Sequence, residues 1–584
     1  MVQVYTSRAI RFRIGSPAPP DGAGARRRDP ATDEATVGAV LAALDNGDLE
    51  GSARLADEAL TSGLEHPALL CIMAMALQTV GRIEDAVPYL RRAMALQPAD
   101  VGIANALARC LLNLQRPAEA LPVLETALKH EPRRAETYAN KGQALERLGQ
   151  PADAERNYLN ALELQPDLIP ARAGLASLCS HYGAHDEARA YAQAVLEAEP
   201  DCAPAVIAMV LAELAEGAAA SAEARIRRLM AGPRPDPSLD SYLGDTLDAQ
   251  GKTDEAFEAW SRCGEALHRD HASQFPGEGV LESTERTAAF LERLPAERWP
   301  RRQASRAAPD AVTTHVFLTG FPRSGTSLLG LALAGHEQVE LLDEQEPLID
   351  SMRKFAGAAG LAQLLSATES ELEGLRTAYW RRAAAAGAKL ERGVFVDKQP
   401  IDTLHLHLVA RLFPEAKILL ARRDPRDVVL SCFRRRFLLN RYTYALLGAE
   451  ASARLYAAAM RLADRMGALA SLDALAIRHE DLVQDFEGEM RGICGFLGMD
   501  WSDALGTFAS RVRSDAIATP SASQLARGLN SDGVGQWRRY ARQLRPLAQI
   551  LEPWVKRFGY DRPAGYRGLA WDRAAAGASL EPMD

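Results

Sequence analysis

Four short apolar runs, at residues 315–319, 393–397, 417–421 and 474–478, stand between longer stretches with helical spacing in the second half of the chain. Runs that are apolar throughout, instead of alternating with polar positions, suit strands covered on both faces, so they predict a parallel sheet between helical layers. The alanine-rich segment 356–388 reads as helical and is expected to overhang an acceptor pocket. Leu281 to Leu294 reads as one amphipathic helix, and Pro295 to Asp310 as a linker rich in proline and arginine.

The first half carries a period. Pro98, Pro132, Pro166 and Pro200 are each 34 positions apart, and Ala86, Ala120, Ala154, Ala188, Ala222 and Ala256 keep the same step. Gly47, Gly81, Gly149, Gly183, Gly217 and Gly251 keep it too, with Gln115 in the one remaining place. A glycine lets the chain turn between two helices, an alanine lets them approach, and a proline ends the second. This 34-residue self-similarity resembles tetratricopeptide repeats, which implies six to seven units stacked between about residues 35 and 270. Such a stack offers a concave face to a protein or peptide partner. The scattered histidines, His66, His130, His181, His185, His268 and His271, read as surface or capping residues.

With 47% hydrophobic residues in 584, each half can build its own core, and a net charge of −9 argues against a nucleic-acid partner. No stretch approaches 18 apolar residues, so no membrane span is expected. Seven scattered cysteines, an odd number, suggest reduced thiols and a cytoplasmic home. Residues 1–34 lack an apolar signal core and read as disordered. The expected organisation is a disordered segment 1–34, an all-α repeat solenoid 35–270, a capping helix and linker 271–311, an α/β domain 312–562 and a tail 563–584.

Chemistry concentrates in that α/β domain. His315-Val-Phe-Leu-Thr-Gly320 reads as a buried strand, and the loop after it almost spells the phosphate-cradling pattern G-x-x-x-x-G-K-[ST], with Gly320, Gly325 and Ser327 in register. Thr326 stands where the lysine belongs, and Arg323 inside the loop offers a guanidinium to an oxyanion. Residues 422–436 hold six arginines after an apolar strand, which places them at a strand's carboxyl end, where open α/β sheets bind ligands.

Pro322-Arg323-Ser324-Gly325-Thr326-Ser327-Leu328 resembles the 5′-phosphosulfate loop of sulfotransferases that use 3′-phosphoadenosine 5′-phosphosulfate. Arg423 to Arg435 resembles that family's 3′-phosphate block, Ile477 to Leu482 and Cys494 to Gly498 its later segments, and the likeness spans roughly residues 312 to 562. The resemblance implies an α/β, P-loop-like sulfotransferase domain with a parallel sheet, and no metal; no His/Cys cluster stands at ligand spacing. It implies donor contacts from the loop residues 322–327, from Arg423, Ser431 and Arg435, from His479 in place of a tyrosine, and from Arg538 or Arg539 in Gly535-Gln-Trp-Arg-Arg. Ser431 and Arg435, four apart on a helix, share a face.

Glu344 lies 21 positions after Arg323, the spacing that carries the catalytic glutamate in tyrosylprotein sulfotransferases, which this domain resembles most. The resemblance makes Glu344 the general base, with Glu346 next, a role that calls for a carboxyl raised by burial. It makes Lys398, in Lys-Gln-Pro400, the residue that stabilises the leaving adenosine bisphosphate. Together these imply sulfuryl transfer to a hydroxyl acceptor, whether peptide tyrosine, saccharide or small molecule. Two other readings stay open: a nucleotide kinase or hydrolase, and a repeat scaffold with a degenerate second domain.

Overall fold

The computed structural model describes residues 30–232, 236–300, 308–509, 525 and 528–561. Residues 1–29 of the expected disordered segment, 301–307 of the linker and the tail 563–584 lie outside them. Residues 30–34 of that segment are helical: Pro30 opens a helix whose first turn carries Asp33, a favourable acid at a helix N-terminus.

Fourteen described helices, α1 (Pro30–Asp45) to α14 (Thr253–His271), alternate with short turns. The period has a backbone cause. Gly47, Gly81, Gly149, Gly183, Gly217 and Gly251 all hold φ between 71° and 80°, and Gln115 at 57° takes the same left-handed turn without being glycine. The six periodic alanines are each 0% exposed, which explains why nothing larger stands there.

The described residues form two compact units, one reaching from 30 to 179 and taking in 187–205, the other of 180–186 with those from 206 to 561. The first has a continuous core running from Val40 through Leu77, Leu90 and Leu111 to Ala144. The second takes in the last repeat helices as well as the α/β domain, so the compact division falls at residue 206 and not between 270 and 312. The reason is packing: the rings of Phe257 and Trp260 on α14 lie 4.9 and 6.5 Å from that of Phe433 in the α/β domain. Helix α15 (Val280–Arg293), expected to cap the repeats, packs its Ala288 and Leu291 into the α/β core instead.

That domain runs β1 (Thr314–Gly320), α16 (Thr326–Leu333), β2 (Val339–Asp343), α17 (Ile349–Lys354), α18 (Gly357–Ser366), α19 (Glu369–Ala385), β3 (Val394–Lys398), α20 (Leu406–Leu412), β4 (Lys417–Arg422), α21 (Pro425–Phe433), α22 (Arg441–Tyr444), α23 (Ala449–Ala470), β5 (Asp473–Arg478), α24 (His479–Gln484) and α25 (Phe486–Leu497), with a last helix at Ala548–Arg557. The sheet order is β2-β3-β1-β4-β5, all parallel. Along β1, Phe317 enters one core with Phe395 and Ile418, while Val316 and Leu318 enter the opposite one with Val396 and Leu419. The chain leaves β1 for β2 and β3 on one side and β4 and β5 on the other, so the switch point lies at the carboxyl end of β1.

The segment 356–388 is helical, as expected, but does not overhang the pocket. Leu372, Tyr379, Trp380 and Ala383 of α19 form a stripe at helical spacing that is buried against the sheet, because an apolar stripe that long must leave water. Under it, His315 Nε2 donates to Tyr379 Oη at 2.9 Å and Tyr379 Oη donates to Asp397 Oδ2 at 2.7 Å. Burial holds His315 neutral, its pKa pushed down to about 3, whereas burial and then Asp402 push the Asp397 carboxyl well up.

A histidine depressed on folding takes protons preferentially in the unfolded chain, so its stabilising share is complete above 6.5 and is lost as pH falls toward 3. Asp397 titrates with the opposite sign, so the comparison is with a variant. On acidification from about pH 7.5 to 5.5, the native chain should lose about 1.4 kcal/mol relative to His315→Phe, read from urea midpoints at both pH values. Parallel pH slopes would rule the titration out.

Candidate active site

Every strand delivers a candidate residue at or just past its carboxyl end: Arg323 after β1, Glu344 after β2, Lys398 at the end of β3, Arg423 after β4 and His479 after β5. In a parallel sheet these ends share one edge, which brings together residues far apart in sequence.

The loop between β1 and α16 is held by its glycines. Gly320 sits against the neighbouring strand, where a Cβ would meet the Ala421 carbonyl oxygen at 2.7 Å, and Gly325, at φ 102°, leaves room for His479, whose Nδ1 would stand 2.8 Å from a Cβ. Arg323 takes the left-handed φ of 73° and turns its guanidinium inward, donating from Nε to Ser431 Oγ at 3.0 Å. Arg423 straps the loop from the other side, donating from Nη1 to the Arg323 carbonyl oxygen at 3.1 Å and from Nη2 to that of Gly533.

The electrostatics are lopsided toward positive charge. Burial, with the nearby cations Arg435 and Arg423, drives the Arg323 guanidinium well below its ordinary pKa. Burial lowers Arg435 to about 10, with Asp245 resisting. His479 is pushed to about 3 by burial and then by Arg423 and Arg323, so its imidazole is neutral. The Nε atoms of Arg423 and Arg435 and Nδ1 of His479 are buried without a hydrogen-bond partner among the described residues. Buried polar groups are seldom left unsatisfied, and the two guanidinium N–H groups among these mark a place for a missing acceptor.

Beside the loop, Lys398 is 1% exposed and donates to Asp343 Oδ1 and Glu344 Oε1, both at 2.6 Å. Burial works against its charge, but the two carboxylates outweigh burial and raise its pKa. Asp343 faces Lys398 in the strand register, and the Glu344 amide donates to the Lys398 carbonyl oxygen at 2.8 Å. Glu344 turns out of the strand with φ 49°. Its side chain is 43% exposed, so the burial expected of a base is not found; an ammonium at contact distance is what orients it.

A cavity of about 300 Å³ joins these groups. Pro322, Arg323, Gly325, Thr326, Ser327, Glu344, Glu346, Arg423 and His479 line it; Ser324, Lys398, Ser431, Arg435 and Arg538 do not. Ser431 lies behind the loop under Arg323, and Lys398 behind its carboxylates. The pair left open in the closing segment separates clearly: Arg539 is tied to Asp248 at 2.6 Å, while Arg538 is exposed, 5.7 Å from the Trp537 ring centroid. The segment itself hangs from Asp427, whose carboxylate accepts from the Gly535 and Trp537 amides at 2.6 and 2.8 Å. Glu480 is a staple, accepting from the Asp424 amide and from Tyr560 Oη.

Sequence reading missed the far wall, made by Gln399, Phe437, Asn440, Tyr442 and Leu529. One signal was available: Asn440 and Thr443 form a reciprocal capping box, which announces a short helix after the arginine block. Among the described residues no group of three His, Cys, Asp or Glu could hold a metal ion, and no helix is long and apolar enough to cross a membrane. All seven cysteines are free.

Residues 315–503 match the model of the sulfotransferase family, and residues 77–145 and 135–168 match models of the tetratricopeptide repeat. The chain is 24% identical over 270 residues to protein-tyrosine sulfotransferase 1 of Danio rerio, covering 42% of this chain and 72% of that one. It is 26% identical over 271 residues to protein-tyrosine sulfotransferase 2 of Gallus gallus, covering 42% and 69%. An uncharacterized protein of Aquifex aeolicus is 23% identical over 342 residues, 55% of this chain, and this chain spans only 42% of that relative's length. A tetratricopeptide repeat protein of Parabacteroides merdae aligns over 40% of this chain and 93% of its own at 20% identity, with a TM-score of 0.33. The chain thus carries a sulfotransferase-family domain behind a region of tetratricopeptide repeats.

Proposed function

We propose that the domain transfers a sulfuryl group from 3′-phosphoadenosine 5′-phosphosulfate to a hydroxyl acceptor. The observation that carries this reading is a glycine-shaped loop bordered by the buried, unsatisfied Nε groups of Arg423 and Arg435 and the unpartnered Nδ1 of His479, next to a carboxylate that faces the cavity. In this reading the 5′-phosphosulfate lies against Pro322 to Ser327 and the 3′-phosphate against Arg423, Ser431 and Arg435, of which Arg423 lines the cavity while Arg435 and Ser431, which accepts from Arg323, stand outside its lining. When bound, it supplies the sulfuryl group and, in adenosine 3′,5′-bisphosphate, a stable leaving group.

The chain's own residues do the rest. Glu344 takes the acceptor's proton at Oε1 or Oε2, while Lys398 and Arg323 hold positive charge where negative charge accumulates. Lys398 stays protonated through this because Asp343 remains beside it when Glu344 is neutralised. The repeats dock a partner or present an acceptor on their concave face, and free thiols suit a cytoplasmic setting. Two relatives are protein-tyrosine sulfotransferases by name, so a tyrosyl peptide is the first acceptor to try, followed by saccharides and small alcohols.

Calorimetry tests the donor site directly. Adenosine 3′,5′-bisphosphate should bind more tightly than ATP, and Arg423→Ala should weaken it by about 1.5–3 kcal/mol, the cost of a charge-assisted contact. Tighter binding of ATP would instead support a nucleotide kinase or hydrolase, against which Thr326 in the lysine position already weighs.

A further inference from the structure

The arginines at the end of α21 divide into two sets. Arg434 and Arg436 reach carboxylates of the last repeat: Arg434 Nη1 lies 3.5 Å from Asp248 Oδ2, and Arg436 Nη1 lies 2.7 Å from Asp245 Oδ2. Arg435, between them, makes no ion pair among the described residues and keeps a buried Nε unsatisfied. Asp248, on α13 (Leu239–Ala249), does more than neutralise. Its Oδ1 accepts from Arg539 Nη2 and from Tyr540 Oη, each at 2.6 Å, and its carbonyl oxygen accepts from Arg539 at 2.7 Å. Asp427 of α21 holds the same closing segment by the Gly535 and Trp537 amides. One carboxylate from the repeats and one from the α/β domain therefore clamp residues 535–540 from two sides.

Aromatic rings and close backbone packing add to these ion pairs and hydrogen bonds. The Trp260 and Tyr540 rings are 5.6 Å apart, and a Cβ on Gly264 of α14 would stand 2.1 Å from the Leu447 carbonyl oxygen. All of it lies inside the second compact unit. Without Asp245 and Asp248, adjacent guanidinium groups at 434, 435 and 436 would repel one another, and Arg434 and Arg436 would compete with Arg435 for any anion.

We propose that the last repeat is a working part of the donor site, with Asp248 a positioning residue that draws Arg434 and the closing segment aside and leaves Arg435 to the 3′-phosphate. This rests on the donor reading above. The test is calorimetry on the full chain with adenosine 3′,5′-bisphosphate and adenosine 5′-phosphate, because their affinity ratio isolates the 3′-phosphate. The ratio should fall about 10- to 100-fold in Asp248→Asn, with 5′-phosphate affinity nearly unchanged. Asp254→Asn, which loses exposed contacts to Arg542 and Gln543 on the same joint, should keep the ratio. Should Asp248→Asn fail to fold, Tyr540→Phe removes a single hydroxyl from Asp248 and should lower the ratio in the same direction. A native chain that distinguishes the ligands while both variants, or Tyr540→Phe alone if Asp248→Asn does not fold, distinguish them equally well overturns the positioning role alone. A native chain that does not distinguish them overturns the donor reading and this role together.

Discussion

Glu344→Gln should cut sulfuryl transfer by about 10²–10⁴-fold, the range associated with loss of a general base, while binding of adenosine 3′,5′-bisphosphate changes little. Glutamine keeps the size and can still accept a hydrogen bond from Lys398, so the substitution removes basicity without opening a hole. Glu344 is the better candidate of the two glutamates on the cavity because both its backbone and its carboxylate are locked to Lys398. Transfer of labelled sulfate from the donor to a panel of acceptors gives the measurement. Full turnover in Glu344→Gln, with loss in Glu346→Gln, would move the role two residues along.

The other large effect belongs to Lys398→Met. Two carboxylates 2.6 Å from one ammonium would then face each other without a counter-ion. Stability should drop by roughly 1.5–3 kcal/mol, less than for a fully buried pair because Asp343 and Glu344 are partly exposed. Transfer should fall at least as far as in Glu344→Gln. Adding Asp343→Asn should recover part of the stability, because it removes the repulsion, and none of the transfer. Recovery of both would mean that Lys398 serves the fold alone. Urea unfolding and the labelled-donor assay on the single and double variants separate these cases.

Part of the site was legible because its signals are local. A glycine-bounded loop between an apolar run and a helix is written in a dozen consecutive residues, and the block from Arg422 to Arg436 in fifteen. Strand β2 was missed because Val339-Glu-Leu-Leu-Asp is short, carries an acid in second place and sits at the sheet edge. The role of α19 was misplaced for a related reason. An alanine-rich stretch announces a helix, but which surface its Tyr379 and Trp380 cover is settled by the sheet they meet.

What the order of residues determined alone is whatever rests on neighbours in the chain: the 34-residue repeat through its left-handed turns and packed alanines, the phosphate-type loop, and the strands buried on both faces. The tertiary structure decided which charges meet. Lys398 finds Glu344 across 54 positions, Arg323 finds Ser431 across 108, and Arg434 finds Asp248 across 186. No spacing rule spans such intervals, because the pairings follow from strand order and from a repeat folding back onto a helix end, where burial strips water from the arginines and strengthens the pull of each carboxylate that meets them.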